Sequence, residues 1–198
     1  MPQDYLDKLR YTGLVAFLGG WVVILAAISR NPWFVFTENA LSDLGNPVAN
    51  DPGIFNYGMM LNGLLIVVYG FYLVHVSFNK TSSVGAGFMM ITGAFLTLIG
   101  VFPEGSKNHY FVSVWFFTQG ALTVLTWGLA LYWGTRWSWE GVIFLVLSLG
   151  GSLVALMVPW SSIAVAEAWG IIIMDIWVAM MTRITPGFDA EALYLPET

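Results

Sequence analysis

Long apolar stretches, separated by short polar segments, dominate the chain. A helix that crosses the roughly 30 Å hydrocarbon core of a bilayer needs about 20 mostly apolar residues, because each residue rises about 1.5 Å. The pattern therefore predicts an all-α integral membrane bundle of six transmembrane helices. We expect residues 1–185 to form this single domain and residues 186–198 a polar C-terminal tail. The predicted spans are residues 11–29, 54–78, 82–102, 110–133, 139–158 and 162–182.

The segments between the spans contain residues that start and stop helices. A serine hydroxyl can accept a hydrogen bond from an unpaired backbone N–H in the first helical turn. Ser82, Ser138 and either Ser161 or Ser162 are the expected N-caps of the third, fifth and sixth spans. Pro103 marks the end of the third span.

The basic residues predict the orientation, because short cytoplasmic loops retain lysine and arginine. Six spans place both termini on one side of the membrane, and five basic residues fall on that side against two on the other. We therefore expect a multi-pass protein of the cell membrane with both termini in the cytoplasm. The terminal side carries Lys8, Arg10, Lys80, Arg136 and Arg183, and the opposite side carries Arg30 and Lys107.

Composition supports a membrane protein and narrows its chemistry. Of the 198 residues, 58% are hydrophobic and 10% are charged, whereas a soluble domain has about 25% charged residues. The absence of cysteine excludes thiolate metal sites, and two histidines exclude a three-histidine zinc site. The net charge of −5 includes no basic block, so we expect no nucleic-acid partner. Membrane lipids are the expected partners, and the oligomeric state stays open, an oligomer included.

The longest external connection, residues 31–52, predicts a short interfacial helix. Thr37 is its expected N-cap and Gly45 its expected end. On such a helix Asn39, Ser42 and Asp43 lie on one polar face, with two leucines on the other. The alternative is a helix that is merely solvated at the membrane surface.

Further polar residues lie at the same depth. Glu104 and His109 belong to the next external connection, and Ser113 follows one turn deeper than His109 on the same helix face. We expect a pocket that is open to the outside and lined by Asp43, Asn62, Glu104, His109, Gln119 and Glu167.

Two acids interrupt the sixth span. An intramembrane carboxylate is costly and normally faces a protein interior or a water-filled cavity with a partner. His109 and Arg30 are the expected partners of Glu167. His75 is the nearest expected partner of the intramembrane acid Asp175.

The residues alone leave several functions open, and they do not decide whether the protein is an enzyme. The first is an enzyme or lipid-head-group binder in which Asp43, Glu104, His109 and Glu167 act as acid, base or metal ligands, with the cofactor unidentified. In that case Ser42 is a nucleophile only if His109 lies within hydrogen-bonding reach. The alternatives are a structural or interaction protein with a polar packing cluster, or a proton-linked transporter or channel.

Three elements together resemble an archaeal and bacterial family catalogued as domain of unknown function 998. They are the segment Glu-Asn-Ala-Leu-Ser-Asp-Leu-Gly at residues 38–45, the Phe-Pro-Glu turn at residues 102–104 with His109 after it, and Glu167 followed ten residues later by Trp177. The resemblance covers all six spans and implies a membrane fold, but no activity. The family in turn looks distantly like the eukaryotic Frag, DRAM and Sfk membrane proteins, some of which are tied to lipid and anchor processing.

Overall fold

The computed structural model describes residues 7–133 and 135–188 of the chain. The described residues are helical, without a strand, and six helices are long and apolar enough to cross a membrane. This architecture confirms the predicted fold class. The predicted tail lies outside the described residues from residue 189 onward. The helices are α1 (Arg10–Arg30), α2 (Gly53–His75), α3 (Lys80–Val101), α4 (His109–Tyr132), α5 (Ser138–Met157) and α6 (Ile163–Ile184).

Of the three predicted serine caps, one is observed and two are changed. The Ser162 hydroxyl accepts a hydrogen bond from the Val165 N–H at 3.2 Å and caps α6. Asn79 rather than Ser82 caps α3, because the Asn79 side chain accepts from the Ser82 N–H at 2.8 Å. The Ser82 hydroxyl in turn accepts from the Asn79 N–H at 3.0 Å, so each residue satisfies the other. Ser138 is the first residue of α5 rather than its cap.

Helices α2 and α3 form the closest helix pair. A Cβ atom added at Gly63 would lie 2.5 Å from the Gly93 carbonyl oxygen, and one at Gly93 would lie 2.6 Å from the Gly63 carbonyl oxygen. These two glycines therefore let the backbones touch, as small residues do in membrane helix pairs. The bundle is therefore closely packed on the side formed by α2 and α3.

Helices α4 and α5 approach each other closely at one end and diverge toward the other. A Cβ atom added at Gly141 would lie 2.6 Å from the Tyr132 N atom. We call this end of the bundle the lower end and the opposite end, with residues 31–52 and 102–108, the upper end. The divergence leaves room for a cleft at the upper end, between α4, α5 and α6.

A π-helical turn at Val146–Gly150 interrupts α5 beside this cleft. The Ser148 hydroxyl donates to the Ala121 carbonyl oxygen of α4 at 2.9 Å, and the Trp169 indole of α6 donates to the Gly151 carbonyl oxygen at 3.0 Å. A π turn widens the helix and is frequent at functional sites. Here the turn and the residue that follows it place one polar contact on each neighbouring helix.

Candidate functional site

The connection between α1 and α2 folds onto the upper end of the bundle. Its helical part is a 3₁₀ helix, Leu41–Gly45, and the Asp43 carboxylate caps it by accepting from the Ala40 N–H at 2.8 Å. The predicted start at Thr37 was therefore wrong. Ser42 was expected on the polar face of this helix, and the structure buries it together with Leu41. The 3₁₀ helix is thus part of the protein interior rather than a solvated surface helix.

Glu167 on α6 binds the connection of residues 31–52 to the helix bundle. Its Oε2 atom accepts a hydrogen bond from the Leu41 N–H at 2.7 Å. The start of α6 adds two more bonds, since the Ala164 N–H donates to the Asn39 carbonyl oxygen and the Ser162 hydroxyl donates to that of Phe36, at 2.9 and 2.7 Å. Backbone groups that would otherwise be unpaired at the upper end are satisfied in this way.

Glu104 and His109 form a second polar group at the same end. His109 Nε2 lies 3.0 Å from Glu104 Oε2, and His109 Nδ1 lies 2.8 Å from the Phe102 carbonyl oxygen. The two ring nitrogens of His109 thus connect the start of α4 to Glu104 and to the end of α3. The Ser113 hydroxyl is 3.2 Å from Nε2, one turn below as predicted.

This geometry argues against a nucleophilic Ser42. Its hydroxyl donates to Glu104 Oε2 at 3.2 Å, and the hydroxyl that reaches His109 is that of Ser113. The condition under which Ser42 was expected to act as a nucleophile is therefore not met.

A cleft of about 840 Å³ runs from these polar groups down between α4, α5 and α6. Its polar end is lined by Asn39, Ser42, Asp43, Glu104, His109 and Glu167, with Glu38 at the rim. Its lower part is lined mostly by apolar and small residues. Val114, Leu156 and Ile163 lie along its edge with 42%, 86% and 65% of their surface exposed, so the cleft opens sideways toward the lipid. The apolar lining includes Val114, Phe117, Ala121, Leu147, Leu156, Ile173 and Met174.

A second, smaller cavity of about 70 Å³ lies inside the bundle and is lined by α1, α2, α3, α4, α6 and the 3₁₀ helix. Ser42, Ser113, Phe117 and Glu167 line both cavities and so form the wall between them. Asn62 lines the inner cavity and donates to the Gly58 carbonyl oxygen of its own helix at 2.8 Å.

Six of the nine predicted site residues thus line one cleft, and Asn62, Gln119 and Asp175 lie elsewhere. Asn62 belongs to the inner cavity. Gln119 lines neither cavity, and its buried Oε1 atom has no hydrogen-bond partner among the described residues. The functional roles assigned to all these residues stay predictions.

The expected partners of the intramembrane acids were wrong. Arg30 pairs with Asp51 at 2.8 Å, and Glu167 bonds to a backbone N–H rather than to a cation. Asp175 Oδ2 accepts from the Trp21 indole N–H of α1 at 2.8 Å, while His75 is exposed at the end of α2. Depth matching among titratable residues missed Trp21, because an indole donor carries no charge.

The geometry also bears on metal binding. Within residues 7–133 and 135–188, no three histidine or acidic side chains are placed so that they could hold a metal ion. The polar end of the cleft offers the hydrogen-bond acceptors of Asp43, Glu104 and Glu167.

A family model described as "Protein of unknown function (DUF998)" matches residues 14–184. The chain belongs to the DUF998 family. The match runs from within α1 to the end of α6 and so includes all three elements on which the resemblance was based. Neither a curated protein nor a solved structure matches the chain. The distant likeness to the Frag, DRAM and Sfk proteins stays an expectation.

Proposed function

We propose that this DUF998 protein binds a membrane lipid in the cleft. The head group lies at the polar end, near Asp43, Glu104, His109 and Glu167. One acyl chain lies along the apolar walls of α4, α5 and α6. The lipid enters sideways from the leaflet at the upper end, which the charge bias predicts to be the extracytoplasmic leaflet.

The observation that carries the proposal is the continuity of one cleft from carboxylates and an imidazole to apolar helix faces. Sites for small molecules are mostly apolar clefts of roughly 300–1,000 Å³ with a few placed polar groups. The volume of about 840 Å³ lies within that range. A lipid has the same division, with a polar head and an apolar chain.

The lateral opening supports a lipid rather than a soluble ligand. Leu156 and Ile163 edge the cleft at the upper ends of α5 and α6, and both are exposed in the bundle. In a membrane such residues face acyl chains. A lipid therefore reaches the cleft without leaving the bilayer. A polar solute would have to cross apolar surroundings to enter along these residues, which is unfavourable.

A pure packing role is the competing explanation. The bond between Glu167 and the Leu41 N–H holds the upper connection in place whether or not a ligand binds. Packing alone, however, favours a filled space rather than a cleft of this size, because interiors are close-packed.

The test measures lipid binding by the purified protein in detergent, with native mass spectrometry as the readout. Ala155 lines the cleft and is exposed, so Ala155→Phe fills part of the cleft with little disturbance of the core. Ala179→Phe is the matched control, because Ala179 is exposed on α6 and does not line the cleft. We expect bound lipid in the wild type and the control and its loss in Ala155→Phe. Equal lipid binding by all three proteins would contradict the cleft as the binding site.

A further inference from the structure

We infer that the head group bound in the cleft carries a primary amine. This inference rests on the proposed lipid binding and adds the chemical class of the ligand. Three observations support it: the polar end is rich in acidic side chains, each carboxyl group is held through one oxygen atom, and the second oxygen atom has no donor among the described residues.

The polar end is acidic throughout. Glu38, Asp43, Glu104 and Glu167 line the cleft, and its lining contains neither lysine nor arginine. Of the two basic residues at the upper end, Arg30 is paired with Asp51, and Lys107 lies outside the lining. His109 is the one basic side chain in the cleft, and it is paired with Glu104. Asp43 and Glu167 therefore have no cationic partner within the cleft lining.

Three of these carboxylates are fixed through one oxygen atom each. Asp43 Oδ2 accepts from the Ala40 N–H, Glu104 Oε2 from Ser42 and His109, and Glu167 Oε2 from the Leu41 N–H. No donor among the described residues bonds to the second oxygen of any of the three. The positions of the carboxylates are thus set by the protein, while half of their acceptor capacity remains for a ligand.

A primary ammonium group matches these acceptors. It carries three N–H donors and a positive charge, and a carboxylate is an acceptor only. Hydrogen bonds between charged partners are roughly twice as strong as neutral ones, and the low dielectric inside a membrane protein strengthens them further. A glycerol head group offers donors without the charge, so it leaves the acids uncompensated.

A quaternary ammonium fits less well. It has no N–H donor, and proteins bind it against several aromatic faces. Tyr110, Phe117 and Trp169 are the aromatic residues of the lining, and Phe117 and Trp169 lie deeper along their helices than the carboxylates. The polar end therefore selects for N–H donors as well as for charge.

Three lipids with identical acyl chains and the same phosphate provide the test. Phosphatidylethanolamine has a primary amine, phosphatidylcholine a quaternary one, and phosphatidylglycerol none. We expect the purified protein to bind phosphatidylethanolamine about tenfold more tightly than either of the others, the ratio that corresponds to one net charge-assisted contact. Competition in mixed nanodiscs, read by native mass spectrometry, measures this ratio directly.

Two variants replace a carboxyl group by an amide and keep the structural bonds. In Asp43→Asn and Glu167→Gln the side-chain oxygen still accepts from the Ala40 or Leu41 N–H. We expect each to reduce the preference for the amine at unchanged thermal stability. Glu140→Gln, at the lower end of α5, makes the same exchange and should keep the full preference.

The outcomes separate this inference from the proposed function. If all three lipids bind equally, or phosphatidylglycerol binds best, the amine class is wrong and lipid binding stands. If the wild type binds none of the three, nor any co-purified lipid, the proposed function itself fails. A preference that survives both Asp43→Asn and Glu167→Gln would also overturn the inference.

Discussion

The carboxylate of Glu167 and the backbone N–H of Leu41 lie 126 positions apart in the sequence and 2.7 Å apart in the structure. This bond joins the last helix to the first long connection. It also places a carboxyl group at the wall between the cleft and the inner cavity. One side chain therefore contributes both to the fold and to the proposed ligand site, and substitutions can separate the two roles.

Removal of the acceptor at residue 167 is expected to destabilise the protein, whereas exchange of the carboxyl group for an amide is not. Glu167→Ala leaves the Leu41 N–H without its partner, at a cost of about 1–3 kcal/mol. Glu167→Gln keeps an oxygen acceptor at the same position. Thermal unfolding in detergent without added lipid measures both. Equal melting temperatures of Glu167→Ala and the wild type would show that the bond contributes little.

The Trp21 and Asp175 side chains are expected to be energetically coupled. Trp21→Phe deprives the carboxylate of the one hydrogen bond that the described residues make to it. The loss should be about 1–2 kcal/mol larger in the wild type than in an Asp175→Leu background, because an apolar residue needs no donor. Chemical unfolding of the two single variants and the double variant gives this coupling. Additive costs would mean that the bond is not formed in the membrane.

The six helices were predictable from the sequence because bilayer thickness fixes the length of an apolar span, and a continuous apolar run of that length pairs its backbone groups as a helix. The first span was predicted at residues 11–29 and observed at Arg10–Arg30. Side chains that lie at one depth could also be grouped from the sequence. Asp43, Glu104, His109 and Glu167 were expected at one pocket, and they line one cleft.

The contacts inside that group could not be predicted for physical reasons. The partner of Glu167 is a backbone N–H, which every residue except proline carries and which leaves no signal in the sequence. Asp175 bonds to an uncharged indole, so a search for cations missed it. The π turn of α5 lies beside hydrogen bonds to α4 and α6, and these contacts with distant residues leave no local sequence pattern.

A methyl group at Gly63 is expected to destabilise the protein, because it does not fit in the contact between α2 and α3. Gly63→Ala places a Cβ atom against backbone atoms of α3, which cannot move as a flexible side chain can. Overpacking of this kind costs about 1–3 kcal/mol. Gly87→Ala is the control, because nothing lies within 4 Å of a Cβ atom at that position of α3.

The control variant should be neutral or stabilised by up to about 1 kcal/mol, the difference in helix propensity between glycine and alanine. Thermal unfolding of the two variants, side by side, compares the same substitution in a tight and an open place. Equal stability of Gly63→Ala and Gly87→Ala would contradict the close approach of α2 and α3.

Both termini are predicted to be cytoplasmic, and this orientation decides which leaflet supplies the lipid. The chain has no cysteine, so single cysteines introduced by Gln3→Cys and Val48→Cys report position without background. Val48 has 90% of its surface exposed in the connection at the upper end, and it is therefore accessible to a reagent. A membrane-impermeant maleimide added to intact cells should label Val48→Cys and should label Gln3→Cys only after permeabilisation. Five basic residues on the terminal side against two on the other support this expectation.

Labelling of Gln3→Cys in intact cells, with Val48→Cys protected, would reverse the orientation. The cleft would then open to the cytoplasmic leaflet, and its ligand would have to be sought among the lipids of that leaflet.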